Sequence, residues 1–328
     1  MANPKRVKLS DVAKAAGLSI GATSDALSGK NRIPDETRTR VREIANSLGY
    51  SPNPIARALT SGHLPLIGLV ISAIDRKAEF DAYRSYWADV ISAATTEATK
   101  LGYALVVLSS LKIEQIRLIP YAGLIVVDSV NDDPDLDIAL NLDVAVATDY
   151  VREDERIAVH FRAEYGDSVQ MAMDCLLEKG AKKLAILLPN VEEAVWVQHV
   201  EESARYWSDR TGICVECKSL PIDGSQTNSS LRALLEQGID GIYSLMPTED
   251  FMSSMKSELK KIGKSFAKDF NLAMLDEDRL GELRELGIAT IGISATEYAQ
   301  SIVASLVNYI ENKAEHTHLN INFSLIKP

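Results

Sequence analysis

The fold that the sequence predicts is a small all-helical head followed by a two-lobed α/β body. Three observations predict it. Residues 11–27, DVAKAAGLSIGATSDAL, have the pattern of two short helices joined at a glycine. The charge changes sign behind this stretch: residues 1–62 hold ten Lys/Arg against five Asp/Glu, while the remainder holds 25 against 41, for a net −11. From Leu64 onward, short apolar runs alternate with helical stretches for about 265 residues, the pattern of a doubly wound sheet. That length suits two lobes rather than one. The domains expected are a head over 1–51, a hinge over 52–62 and a body over 63–328.

In the head, Asp11–Ala16 places small and apolar residues at helical spacing behind Ser10, read as the N-cap. Gly17 supplies the turn, and Ser19 caps a second helix over Ile20–Leu27. A helix-turn-helix of this kind lays its second helix in the DNA major groove. Ser28–Arg32 reads as a basic loop along the sugar-phosphate backbone, with Asn31 and Arg32 as contacts. Pro34 and Asp35 open a third helix, which packs through Val41, Ile44, Ala45 and Leu48 and stops at Gly49. Arg38, Arg40 and Arg42 are read as solvated or phosphate-facing. Ser51–Gly62, with Pro54, Ala56, Arg57, Ala58 and Leu59, is a helix too short to stand alone.

In the body, strands are expected over 66–72, 103–109, 123–129, 144–148, 183–189, in GICVECK, DGIYSL and NLAMLD, and in one final strand LNINFSLI. Helices are expected over 81–101, 163–179, 192–210, 231–236, 250–262 and 296–312. Ligands in such folds sit outside the carboxyl ends of strands. That rule points to Ser72 to Asp75, Asp128 with Ser129, Tyr150, Trp196 and Asp276. Asp and Trp together suit a sugar, whose hydroxyls need hydrogen bonds and whose ring needs an apolar wall.

Composition is that of an ordinary globular chain. No stretch is apolar enough to span a bilayer, and the basic N-terminus has no apolar run behind it, so a cytoplasmic protein is expected. Cys214 and Cys217 have the spacing of a redox or zinc pair but fall in an expected strand without a second ligand pair; neither metal nor cofactor is expected. The run NDDPDLD reads as a solvated loop. The chain lacks G-x-S-x-G, a P-loop, a dinucleotide fingerprint and H-E-x-x-H, so no catalytic residues are assigned and no enzyme is expected.

The D-V-A-x-x-A-G-L-S opening at Asp11, the Ser28-Gly29 pair and Y-S-P-N-x-x-A-R-x-L at Tyr50 resemble the LacI/GalR family of bacterial transcription regulators. The resemblance implies a homodimer on near-palindromic double-stranded operator DNA. DNA contacts carry over to Ser19, Ile20, Gly21, Thr23, Ser24, Asp25, Asn31, Arg32, Tyr50, Asn53, Ala56, Arg57 and Leu59. It also implies a hinge helix that orders on DNA, with Leu59 levering open a central base step. The body is similar to periplasmic binding proteins and implies a sugar-like effector. Several departures stand out. Asp25 occupies the place of a base-reading Arg and would accept from cytosine N4. Arg162 replaces the Asp of V-x-x-D-N-x-x-G, and Met246–Glu249 replaces N-D-x-x-A. Either the ligand is different or the lobes have lost small-molecule control. A free solute-binding protein is the alternative from another class.

Overall fold

The structure is a computed structural model and describes residues 7–28, 33–50, 64–72, 81–108, 117, 119–130, 132–150, 152–190, 195–221, 224–246, 249–276, 281–312 and 315–328. The chain divides into two units, Met1–Leu64 and Pro65–Pro328. The expected hinge, 52–62, lies outside the described residues.

In the head, α1 (Leu9–Ala16), α2 (Ile20–Ser28) and α3 (Asp35–Ser47) close on Val12, Ala16, Ala26, Val41 and Ala45. These are small side chains, so three short helices can approach closely enough to exclude water. Gly17 takes φ 68°, and the N–H of Leu18 reaches back to the Ala13 carbonyl at 3.0 Å, a left-handed cap that turns the chain into α2. Ser10 is not the cap. The helix begins at Leu9, and the Asp11 carboxylate accepts the Lys8 N–H at 2.8 Å. A carboxylate there also complements the helix dipole.

Among the described residues the body holds two six-stranded sheets. The first is built from β1 (Leu66–Ile71), β2 (Ala104–Leu108), β3 (Gly123–Val127), β4 (Ala145–Thr148), β5 (Ile157–Ala163) and, from the far end of the chain, β11 (Thr317–Ile321). Its order is β11-β5-β4-β3-β1-β2, all parallel. Alternation along β1 sends Ile67, Leu69 and Ile71 to one face, against Trp87 and Val90 of α4 (Asp81–Lys100) and Ile302 and Leu306 of α11 (Ala295–Asn312). Val70 joins Leu124 and Val126 on the other face, against Leu136 and Leu140 of α5 (Pro134–Leu140). Burial on both faces is why these strands read as unbroken apolar runs.

The second sheet contains β6 (Leu184–Pro189), β7 (Val215–Leu220), β8 (Gly241–Ser244), β9 (Asn271–Leu275), β10 (Ala289–Gly292) and β12 (Ser324–Ile326), in the order β12-β10-β9-β8-β6-β7. Of these described strands only β12 runs antiparallel. One face is covered by α6 (Tyr165–Glu178) and α7 (Val195–Thr211), the other by α8 (Thr227–Glu236) and α9 (Glu249–Lys261). A short α10 (Glu282–Glu285), which the sequence pattern does not predict, precedes β10.

Three expectations need correction. NDDPDLD is not a solvated loop. Asp133, 3% exposed, accepts the N–H groups of Asp135 at 2.8 Å and Leu136 at 3.2 Å as the cap of α5, with Pro134 in the first turn. The strand β5 is absent from the expected strands because His160 and Arg162 interrupt its apolar run. The final strand is two strands, β11 in the first sheet and β12 in the second, with Phe323 between them inserted into the second lobe's core. Among the described residues the chain therefore crosses between lobes three times, at 163–165, 292–295 and 321–324. Two crossings are tied by the Glu164 N–H to the Ile321 carbonyl at 3.3 Å. Among the described residues no helix is long and apolar enough to cross a membrane.

Candidate functional site

Two surfaces carry candidate function, one on each unit. On the head, Ser19 closes the turn before α2 by accepting the Ala22 N–H at 3.1 Å. The helix then divides sharply. Ile20 is 55% exposed, and Gly21 and Ser24 are exposed beside it, so one face offers an apolar side chain, bare backbone and a hydroxyl. Thr23 is 0% exposed and donates its hydroxyl to the Ser19 carbonyl at 2.9 Å. It is a core residue and is not presented to a base, contrary to the expectation from the sequence. Asp25 is half-buried at the edge of the exposed face. Tyr50 packs against the head core, which leaves it a positioning place at the end of α3.

Two of the arginines of α3 also make contacts within the head. Arg38 pairs with Asp35 on its own helix, and Arg40 donates to the Ala16 carbonyl at 3.0 Å, closing the end of α1. Arg42 is exposed. The expected contacts Asn31, Arg32, Asn53, Ala56, Arg57 and Leu59 lie outside the described residues.

In the body, a cleft of about 100 Å³ opens between the lobes at the carboxyl ends of β3 and β4. The structure brings Asp128, Tyr150 and Trp196 together in it, with Ser129. It does not bring Ser72 or Asp276 there: Ser72 is buried behind the end of β1 with its N–H on the Val127 carbonyl, and Asp276 is exposed. Asp75 lies outside the described residues.

The cleft's other lining groups are not among those the sequence points to. Asp149 follows β4, and its carboxylate accepts the N–H of Asp128 at 2.7 Å and of Ser129 at 3.3 Å. It thereby holds Asp128 at a left-handed φ of 54°, an uncommon place for a residue with a Cβ. Burial and the neighbouring Asp128 push the Asp149 carboxyl up to about 7. The walls are aromatic. On the first lobe, Tyr86 meets Trp87 edge-on at 5.5 Å and Tyr298 at 6.4 Å. Across the cleft Tyr165 stacks on Trp196 at 5.3 Å. The phenols of Tyr165 and Tyr298 are held well above their ordinary range, first by burial and then by anionic neighbours, among them Asp128 and Asp149. Arg162 also lines the cleft, 3.7 Å from Glu164, and His199 is pushed down by burial and then by Arg162. A strand-end Asp149 beside Tyr150 was the available signal; the aromatic walls come from α4, α6, α7 and α11 and share no motif.

Among the described residues no group of three or more His, Cys, Asp or Glu is placed to hold a metal ion, and Cys214 and Cys217 are free and exposed.

A helix-turn-helix head followed by a two-sheet α/β body defines a class, the helix-turn-helix proteins with periplasmic-binding-protein-like bodies. Residues 8–53, most of the head, match the family described as "Bacterial regulatory proteins, lacI family". The chain is 45% identical over 65 residues to the HTH-type transcriptional regulator MalR of Streptococcus pneumoniae, a match covering 20% of each protein. The chain thus spans about a fifth of that curated relative's length. In structure it is similar to the lac repressor dimer bound to operator and the anti-inducer ONPF, with TM-score 0.67 and 17% identity over 98% of both chains. It is also similar to the transcriptional regulator CelR in its cellobiose complex, with TM-score 0.64 and 18% identity over 98% of both. At these identities the structural likeness speaks for the fold.

Proposed function

We propose that this protein is a sequence-specific DNA-binding transcription regulator, a repressor in the simplest form, that acts in the cytoplasm as a homodimer on a near-palindromic operator. A small-molecule effector in the interlobe cleft controls it, and it is not an enzyme. The observation that carries the reading is the exposed Ile20, Gly21 and Ser24 face of α2 on a head that matches the lacI family over residues 8–53. Ile20 is suited to a thymine methyl and Ser24 to a base edge, while Asp25 disfavours guanine and accepts from cytosine N4. Arg32, Arg57 and the exposed Arg42 supply phosphate contacts that position the head without reading sequence. Asn53, Ala56 and Leu59 enter the minor groove from the paired hinges.

The likeness to a repressor dimer bound to operator supports the dimer, and that to a cellobiose complex supports a sugar-like effector. The three crossings between lobes, two of them tied together at Glu164 and Ile321, support control by hinge motion. The test is selection of the full-length protein against a random double-stranded DNA pool at near-physiological salt. A two-fold symmetric site with a central pyrimidine–purine step is the expected result. Enrichment of an unsymmetric site, or of none with and without sugars added, overturns the reading.

A further inference from the structure

The interlobe cleft differs from a surface built for a neutral polyol in the chemistry of its polar groups. Sugar hydroxyls donate and accept, and amide side chains answer both needs; among the described residues the lining contains no Asn and no Gln. It contains two adjacent carboxylates, Asp128 and Asp149, facing aromatic walls from both lobes. The guanidinium of Arg162, also in the described lining, is turned toward Glu164. Two carboxylates in one cleft with Tyr86, Tyr165, Trp196 and Tyr298 are the groups that take a positive charge: aromatic rings attract it and the carboxylates pair with it.

We infer that the effector of this cleft is a small organic ammonium ion, such as an amino sugar or a quaternary amine, bound between the Asp128–Asp149 pair and the aromatic walls. The inference rests on reading the cleft as the effector site. The pair also explains how such a ligand would be felt. Two carboxylates this close repel each other, and the proton that relieves the repulsion sits with Asp149, whose carboxyl is pushed up to about 7. A bound cation relieves the same repulsion and displaces that proton, so affinity rises with pH until Asp149 has ionised. The small volume, about 100 Å³, lies below the about 300 Å³ where drug-sized pockets begin, so the charged group itself fills much of it.

The experiment is calorimetric titration of the full-length protein with two charged probes and their uncharged counterparts: choline against 3,3-dimethylbutan-1-ol, and glucosamine against glucose. The expected result is binding of at least one charged probe, more than tenfold tighter than its uncharged counterpart. Choline keeps its charge at every pH, so strengthening of choline binding between pH 6 and 8, with proton release, reports a titrating group of the cleft. Its loss in Asp149→Asn but not in His199→Gln assigns it to the carboxyl rather than to the cleft's imidazole. Asp128→Asn should abolish that preference, and its fold is checked by thermal unfolding, because Asn tolerates the left-handed backbone that Asp128 occupies. Equal binding by the uncharged counterparts, or no binding by either charged probe at millimolar concentration, overturns the inference. Operator selection reads the head and not the cleft. A protein that enriches a symmetric site yet ignores both ammonium probes refutes this inference and leaves the regulator reading intact.

Discussion

Asp149 shows how one residue can serve structure and function together. Its carboxylate ties the end of β3 through two N–H bonds, at 2.7 and 3.3 Å, while sitting against Asp128. Its folded value, about 7, lies above the 3.8 of an ordinary aspartate. Between those two values the folded protein holds a proton that the unfolded chain has released. Stability therefore falls as pH rises through that window and levels off beyond it. The residue is only partly covered, so the loss is about 2 kcal/mol, roughly half of what the same rise in pKa would represent for a group wholly shielded from water. Asp149→Asn should flatten the dependence of Tm on pH between 5 and 8; an unchanged slope would assign the sensitivity to other groups. The residue-scale departures from expectation have a similar origin. Thr23 is polar and in sequence read as facing DNA, yet it bonds inward to Ser19; Arg40, read as solvated or phosphate-facing, is exposed and also closes α1. Sequence supplies the donor but not the direction in which it points.

At the scale of elements, α2 and β1 illustrate opposite demands. The helix α2 must leave one face bare. Ile20→Ala on that face should leave Tm unchanged, since the side chain is 55% exposed, while discrimination at one half-site position falls by about 1 kcal/mol. Competition binding with singly substituted operators measures it, and uniform weakening at every position would show that Ile20 reads no base. The strand β1 must be filled on both faces. A Cβ added to Gly68 would lie 2.5 Å from Leu124 Cδ2 and 2.9 Å from Leu108 Cδ1. Gly68→Ala should therefore destabilise the body by about 1–3 kcal/mol, read by denaturant unfolding, because the overpacked core must shift. The elements legible in advance were those whose pattern is self-contained, such as α3, β1, β3 and β6. Those missed, α5, α10 and β5, are short or carry polar residues whose environment decides their state; Asp133 and Asp135 are buried despite being polar.

At the scale of the whole molecule, the proposed regulator couples two properties that stand in different units of the chain. Operator and effector must then change each other's affinity by the same factor, so an effector measured to weaken operator binding tenfold must itself bind tenfold more weakly in the presence of operator. Leu59→Ala, in the hinge, is expected to weaken binding to the selected operator by at least tenfold while leaving non-specific DNA binding within about twofold, since a wedge acts only where the base step opens and phosphate contacts act everywhere. Equal losses on operator and random DNA would remove Leu59 from that role. The charge split, +5 over 1–62 and −16 over the remainder, favours approach by the head.

By itself the sequence determined the local grammar of this protein: a glycine between two short helices, apolar runs sized for buried strands, and motifs that resemble one family closely enough to name it. Local backbone preference and hydrophobic periodicity act over a few residues, so they are legible there. Tertiary structure alone decided how distant segments meet. It divided LNINFSLI between two sheets, drew Asp128 and Asp149 into one site across 21 residues, and lined that site with Tyr86, Tyr165, Trp196 and Tyr298 from four helices. It also left Ser72 and Asp276 out. Strand ends share a chemistry in sequence, but which of them face a common cleft is fixed only by the order of strands in the sheet and by where the chain crosses between lobes.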